Sequence, residues 1–166
     1  RSSVIWDNSP NEVVQELGSV MTIQYSDVRG GWAGAGNIDV DPLFVDPKSD
    51  WRLAAGSPAI DAGDADALPV ESVVDLNGNP RFDDDPCTAD SGAGGSERFP
   101  VDMGAYEFIP PCPVDLDCNG VTDVADLLRV LSAFGTCGWC LEDIDGSGDV
   151  DMADVLAILD GWGGCG

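Results

Sequence analysis

Two stretches near the C-terminus carry apolar residues at helical spacing. Val124, Leu127, Leu128, Leu131 and Phe134 follow i, i+3, i+4, i+7, i+10, and Met152, Val155, Leu156, Leu159 and Trp162 repeat the series. Each series predicts one amphipathic helix, and the two stripes are expected to pack on each other as core. Gly135 and Gly163 are expected to cap the helices at their C-terminal ends. Upstream the pattern changes to short bursts: Val4-Ile5-Trp6, Val20 to Val28, Pro42 to Val45, Trp51 to Leu53 and Ala59-Ile60. Turn residues separate them, and several lie roughly 20 residues apart, a spacing that suits a solenoid of parallel strands. Three prolines within Pro110-Pro111-Cys112-Pro113 enforce extended backbone between the two regimes. The expected organisation is residues 1–108, a linker at 109–113 and a second module at 114–166.

The second module is an internal duplication. Residues 112–137 shifted by 28 fall on 140–165, aligning Cys112 with Cys140, Asp115 with Asp143, Asp117 with Asp145, Gly120 with Gly148, Asp126 with Asp154 and Cys137 with Cys165. Each repeat carries the spacing of a calcium loop. In the first, the ligand positions are Asp115, Asp117, Asn119, Val121 through its carbonyl, Asp123 and Asp126; in the second they are Asp143, Asp145, Ser147, Asp149 through its carbonyl, Asp151 and Asp154. Calcium takes six to eight oxygens, and alternate residues of a tight loop aim oxygens at one centre. Gly120 and Gly148 occupy the sixth position, where the chain turns sharply. Two calcium ions are therefore the expected cofactors, and metal binding is expected to drive folding of this small module.

Charge narrows the function classes. The 166 residues hold 31 Asp plus Glu, 7 Lys plus Arg and no His, a net charge of −24. A polyanion of this density is repelled by phosphate backbones and anionic membrane surfaces. Without His there is no Ser-His-Asp triad, no Cys-His dyad and no His ligand for zinc. No apolar run is long enough to span a bilayer. The chain begins at Arg1, without an initiator Met or a signal-peptide apolar region, and reads as a fragment or processed product.

Six cysteines among 21 Gly and 11 Pro point to an oxidising compartment. The duplication permits Cys112–Cys165 with Cys137–Cys140, or Cys112–Cys137 with Cys140–Cys165. Either choice leaves Cys87 and Cys118. The Cys137-Gly-Trp-Cys140 run has the spacing of a redox motif but lacks a βαβ setting, so a structural role is expected.

Residues 113–164 resemble a dockerin, the duplicated calcium-binding module of many secreted bacterial polysaccharide-active proteins. The resemblance covers both repeats, including Asp rather than Glu at the twelfth position. It implies a cohesin-like protein or cell-surface scaffold as partner, contacted through Val124-Ala125 and Met152-Ala153. The series Asn37 to Pro47, Trp51-Arg52-Leu53, Gly56 to Gly63, Asp75 to Arg81 and Asp102 to Glu107 resembles the C-terminal end of secreted right-handed parallel β-helix proteins of the pectate-lyase-like and choice-of-anchor type. Together the resemblances imply a multidomain chain, the last turns of a parallel β-helix followed by an all-α dockerin-like module.

The expected function is extracellular, calcium-dependent attachment at a bacterial surface, with polysaccharide as a further partner class and neither nucleic acid nor membrane insertion. The alternative is the tail of a polysaccharide lyase or glycoside hydrolase whose active site lies upstream. No catalytic residue is assigned within the chain. Lys48, Arg29, Arg52, Arg81 and Arg98 lie apart in sequence. Asp61, Asp64 and Asp66, Asp83, Asp84 and Asp85, and Asp102 with Glu107 read as turn and cap chemistry.

Overall fold

The computed structural model describes residues 1–69, 74–94, 100–138 and 140–165. The chain clusters into two compact units, Arg1–Asp83 with Asp90–Phe108, and Asp84–Ala89 with Ile109–Gly166.

The first unit is not a solenoid. Strand β1 (Val4–Ile5) pairs in parallel with β2 (Asp27–Val28), and isolated parallel bridges join Asp27 to Ile38 and Asp64 to Ala93. Strands β3 (Phe44–Asp46) and β4 (Asp50–Leu53) form an antiparallel hairpin, with an irregular register between Phe44 and Asp46. Ala59 and Ile60, expected on a strand, lie in a turn, and Val20 to Gln24 forms no strand. The parallel β-helix expectation is therefore overturned: the strands run for only two to four residues, and parallel pairing beyond β1 and β2 is confined to isolated bridges.

Buried carboxylates satisfy backbone groups that a longer ladder would have paired. Asp102 Oδ1 accepts from the Asp61 N–H at 2.9 Å, and Glu107 Oε2 accepts from the Asp102 N–H at 3.0 Å. Asp75 accepts from the backbone of Asn77, Asn79 and Glu107. Around this polar scaffold, Leu53, Ala59, Ile60, Ala62 and Met103 form the core, with Val4, Ile38, Phe44 and Phe108 packed against it.

In the second unit, helix α1 (Val124–Ser132) and helix α2 (Met152–Asp160) pack on each other. Their N-termini are set by identical chemistry. Asp123 and Asp151 cap the helices, accepting from the N–H of Ala125 and Ala153 at 2.7 Å. Asp126 and Asp154 reach back to the N–H of Asp123 and Asp151, completing a capping box in each repeat.

The unit is not all-α. Strand β5 (Val121–Thr122) pairs antiparallel with β8 (Gly163–Gly164), and β6 (Gly135–Thr136) pairs antiparallel with β7 (Asp149–Val150). Each loop strand is thus paired with the segment that follows the other repeat's helix. The helices end earlier than expected, with Ala133 and Gly161 as C-caps. Gly135 and Gly163, at φ +133° and +127°, instead turn the chain into β6 and β8. The two segments are extended there because each hydrogen-bonds to the opposite repeat. The chain as a whole is a small mixed α/β protein with two helices and four two-stranded sheets among the described residues.

Candidate metal centre

Both loops gather carboxylates. Asp115, Asp117 and Asp126 each bring one oxygen within 4.8 Å of the others, and Asp143, Asp145 and Asp154 do the same in the second repeat. These are the first, third and twelfth loop positions. Asp126 and Asp154 are fully buried and rise from the first helical turn, so the helix start aims one acid at each loop. Their Oδ1 atoms accept from the backbone of Leu116 and Asp117, and of Ile144 and Asp145. Asp115 Oδ2 accepts from the Gly120 N–H and Asp143 Oδ2 from the Gly148 N–H, both at 2.8 Å. Gly120 and Gly148 sit at φ +87° and +93°, the left-handed turn that the sixth position requires.

The remaining predicted ligands belong to the same two loops. Asn119 Oδ1 accepts from the Val121 N–H at 2.9 Å, and Ser147 Oγ lies 3.1 Å from the Asp149 carbonyl. Val121 and Asp149 are loop-strand residues, and Asp123 and Asp151 serve as helix caps through Oδ1. Both acidic groups can hold a metal ion. The donors are oxygens only, the set that suits a hard divalent cation rather than zinc or copper.

The disulfides follow the first of the two pairings. Cys112–Cys165 closes the ends of the duplication, Cys137–Cys140 lies between the repeats, and Cys87–Cys118 ties the Asp84–Ala89 segment to the first loop. The Cys112–Cys165 bridge borders the first acidic group, with Cys165 Sγ 3.8 Å from Asp115 Oδ2. Trp139 and Arg98 lie outside the described residues. With three disulfides the protein suits an oxidising setting. No described helix is long and apolar enough to cross a membrane.

No family model matches the chain, and no curated protein or solved structure shows significant similarity to it.

The helix faces reverse the sequence expectation. Val130 and Ile158 are fully buried and form the core with Val114, Leu116 and Val150, while Leu127 and Val155 pack at its edge. Val124, Leu128, Leu131 and Phe134 are 46–59 % exposed, and their repeat equivalents Met152, Leu156, Leu159 and Trp162 are 48–59 % exposed. Eight large apolar side chains therefore face solvent in two repeat-equivalent rows. Sequence reasoning missed this surface, since the stripe it drew mixed both faces.

Each of the five described arginines has a carboxylate partner: Arg1 with Asp64, Arg29 with Asp7, Arg52 with Asp50, Arg81 with Glu107 and, in the second unit, Arg129 with Glu142. Asp85 accepts from the Cys87 N–H and the Thr88 hydroxyl, a local turn. Among the buried acids, Glu107 and Asp27 are held above the ordinary carboxylate range. Burial, reinforced by Asp102, pushes the Glu107 carboxyl up to about 8, against the opposing pull of the Asp102 N–H and Arg81. Burial raises Asp27 to about 6, with the charges of Asp39 and Asp41 adding to it.

Proposed function

We propose that the second unit is a calcium-loaded attachment module, which docks the chain onto a cohesin-like protein or another scaffold at a bacterial cell surface. The observation that carries this reading is the coincidence, in both repeats, of a carboxylate group at the loop and an outward apolar row on the helix that starts from it. Asp126 and Asp154 connect the two features. Each is the last loop acid and also the third residue of its helix. A bound ion neutralises three crowded carboxylates and fixes the helix that carries the row. Solvent-facing apolar side chains of this number cost solubility, and their repetition favours a partner surface over accident. Val124 and Met152, the helix-start residues of the two rows, are 57 % and 59 % exposed. Calcium here is structural and conditional: it is abundant outside the cell, where disulfides also persist.

The test is calorimetric titration of calcium into the chelator-treated, oxidised chain, with capture of a cohesin-type protein measured in calcium and in chelator. Two binding events, with capture only in calcium, support the proposal. Absence of calcium binding would remove its mechanism. Calcium binding without capture would remove the partner and leave a metal-stabilised structural module.

A further inference from the structure

A cleft of about 390 Å³ in the first unit is lined by four aromatic side chains, Trp6, Phe44, Trp51 and Tyr106, with Asp7 and Asn8 as its polar groups. We propose that it binds a chain of neutral pyranose sugars with equatorial hydroxyls. The volume falls in the ~300–1,000 Å³ range of small-molecule sites. The floor is anchored, because Phe44 and Val4 pack on the hydrophobic core. Trp51, 55 % exposed on β4, is held with much of its ring in solvent.

An aromatic ring left in water beside a cleft invites a ligand with a flat apolar face. A pyranose with equatorial hydroxyls has such a face in its axial C–H bonds, and its rim of hydroxyls needs in-plane donors and acceptors. Those are available. Asn8 donates through both its backbone and its amide nitrogen to Glu12, which orients the side chain and leaves Oδ1 as an acceptor. The Tyr106 hydroxyl is a donor and acceptor at the same cleft.

The wall carrying Tyr106 is pre-organised. The Gly104 carbonyl accepts from Arg81 Nη2 at 2.8 Å, the Gly104 N–H donates to Ser2, and the Leu76 N–H donates to Ala105. Arg81 in turn pairs with buried Glu107 at 3.1 Å. Backbone held this way loses little freedom on binding.

Charge selects among ligands with an apolar face. The chain carries −24, so uronate-containing glycans are repelled. A cationic ligand is disfavoured locally: Asp7 is already paired with Arg29, whose guanidinium lies 5.8 Å from the Trp6 ring centroid and occupies the cation site of that ring. A neutral sugar meets neither obstacle.

The experiment uses the full oxidised chain in saturating calcium, titrated with cello-, xylo- and chito-oligosaccharides and followed by tryptophan emission and calorimetry. Oligogalacturonate and choline are titrated alongside. Binding of a neutral oligosaccharide is expected, with about tenfold or greater loss in Trp51→Ala. A smaller loss is expected in Tyr106→Phe, which keeps the ring, and no loss in Trp32→Ala, which does not line the cleft. Absence of binding by every neutral oligosaccharide, binding indifferent to Trp51→Ala, or preference for galacturonate or choline would each overturn the proposal.

Discussion

Ile158 and Leu156 lie two residues apart on α2, yet one is fully buried and the other 59 % exposed. Truncation to alanine removes three carbons from either. For Ile158→Ala the transfer loss is about 2.4 kcal/mol at ~0.8 per carbon, and the cavity left in a close-packed core raises it toward the ~2–5 kcal/mol seen for such changes. For Leu156→Ala less than half of the side chain is withdrawn from water and no closed cavity forms, so the cost stays below about 1 kcal/mol. In a unit of this size each kcal/mol moves Tm by roughly 4–8 °C. Ile158→Ala should therefore lower the melting point of the second unit by roughly 10 °C or more, and Leu156→Ala by a few degrees at most. Val130→Ala against Leu128→Ala should reproduce the ordering in the first repeat, scaled down for valine's two carbons. Melting in saturating calcium, followed by circular dichroism, reads both pairs. Partner capture should show the opposite order per unit of stability lost, with Leu128→Ala and Leu156→Ala weakening it while folding stays intact. Equal destabilisation by Leu156→Ala and Ile158→Ala would refute the assignment of faces and, with it, the docking surface.

Three further outcomes are expected. Asp117→Asn and Asp145→Asn each keep the acceptor used by the Asn119 or Ser147 N–H but remove one charge from a loop group, so calorimetry should show one of two calcium sites weakened by roughly tenfold or more while the other is retained. Glu107, raised from 4.5 to about 8, and Asp27, raised from 3.8 to about 6, hold protons in the folded chain that the unfolded chain releases, so stability of the first unit should fall as pH rises from 4.5 to 8 and from 3.8 to 6 respectively; urea midpoints at pH 5 and pH 8, with Glu107→Gln flattening the difference, check this. Replacing Cys112 and Cys165 by Ser opens a closure of 53 residues, worth roughly 4 kcal/mol in chain entropy, whereas the Cys137–Cys140 closure spans 3 and is worth roughly 2 kcal/mol; denaturant unfolding of the two double variants should rank them in that order.

The duplication, both loop acids and the helix starts were legible because local chemistry sets them. Asp123 and Asp151 stand where a cap must stand, and Asp126 and Asp154 follow three residues later. The orientation of the helices was not legible from apolar spacing, since the polar residues of α1 that would ordinarily mark the outside turn inward: Asp126 is fully buried at its loop, and Arg129 donates to the Leu116 carbonyl and pairs with Glu142. One signal was present and unused. Asp126 must aim into its loop, and a residue four positions on shares its face, so Val130 must be inward and Leu128 outward. The same argument from Asp154 places Ile158 inside.

The first unit misled for a different reason. Its apolar bursts have the spacing of solenoid rungs, but regular spacing requires that backbone groups between rungs pair with one another. Here Asp75, Asp102 and Glu107 take those hydrogen bonds with side-chain oxygens, from burial levels of 8 % exposure or less. A carboxylate buried among backbone N–H groups holds a turn in place, whereas a strand ladder would have left it no donors to accept from. The acids read as turn residues were the frame of the unit, and the short strands fill the intervals between them. The same substitution of side-chain for backbone pairing runs through both units, since Asp115, Asp126, Asp143 and Asp154 also hold loop N–H groups. In the second unit the oxygens so gathered converge closely enough to take a cation, and the charge that makes the chain so acidic becomes the means of fixing its helices.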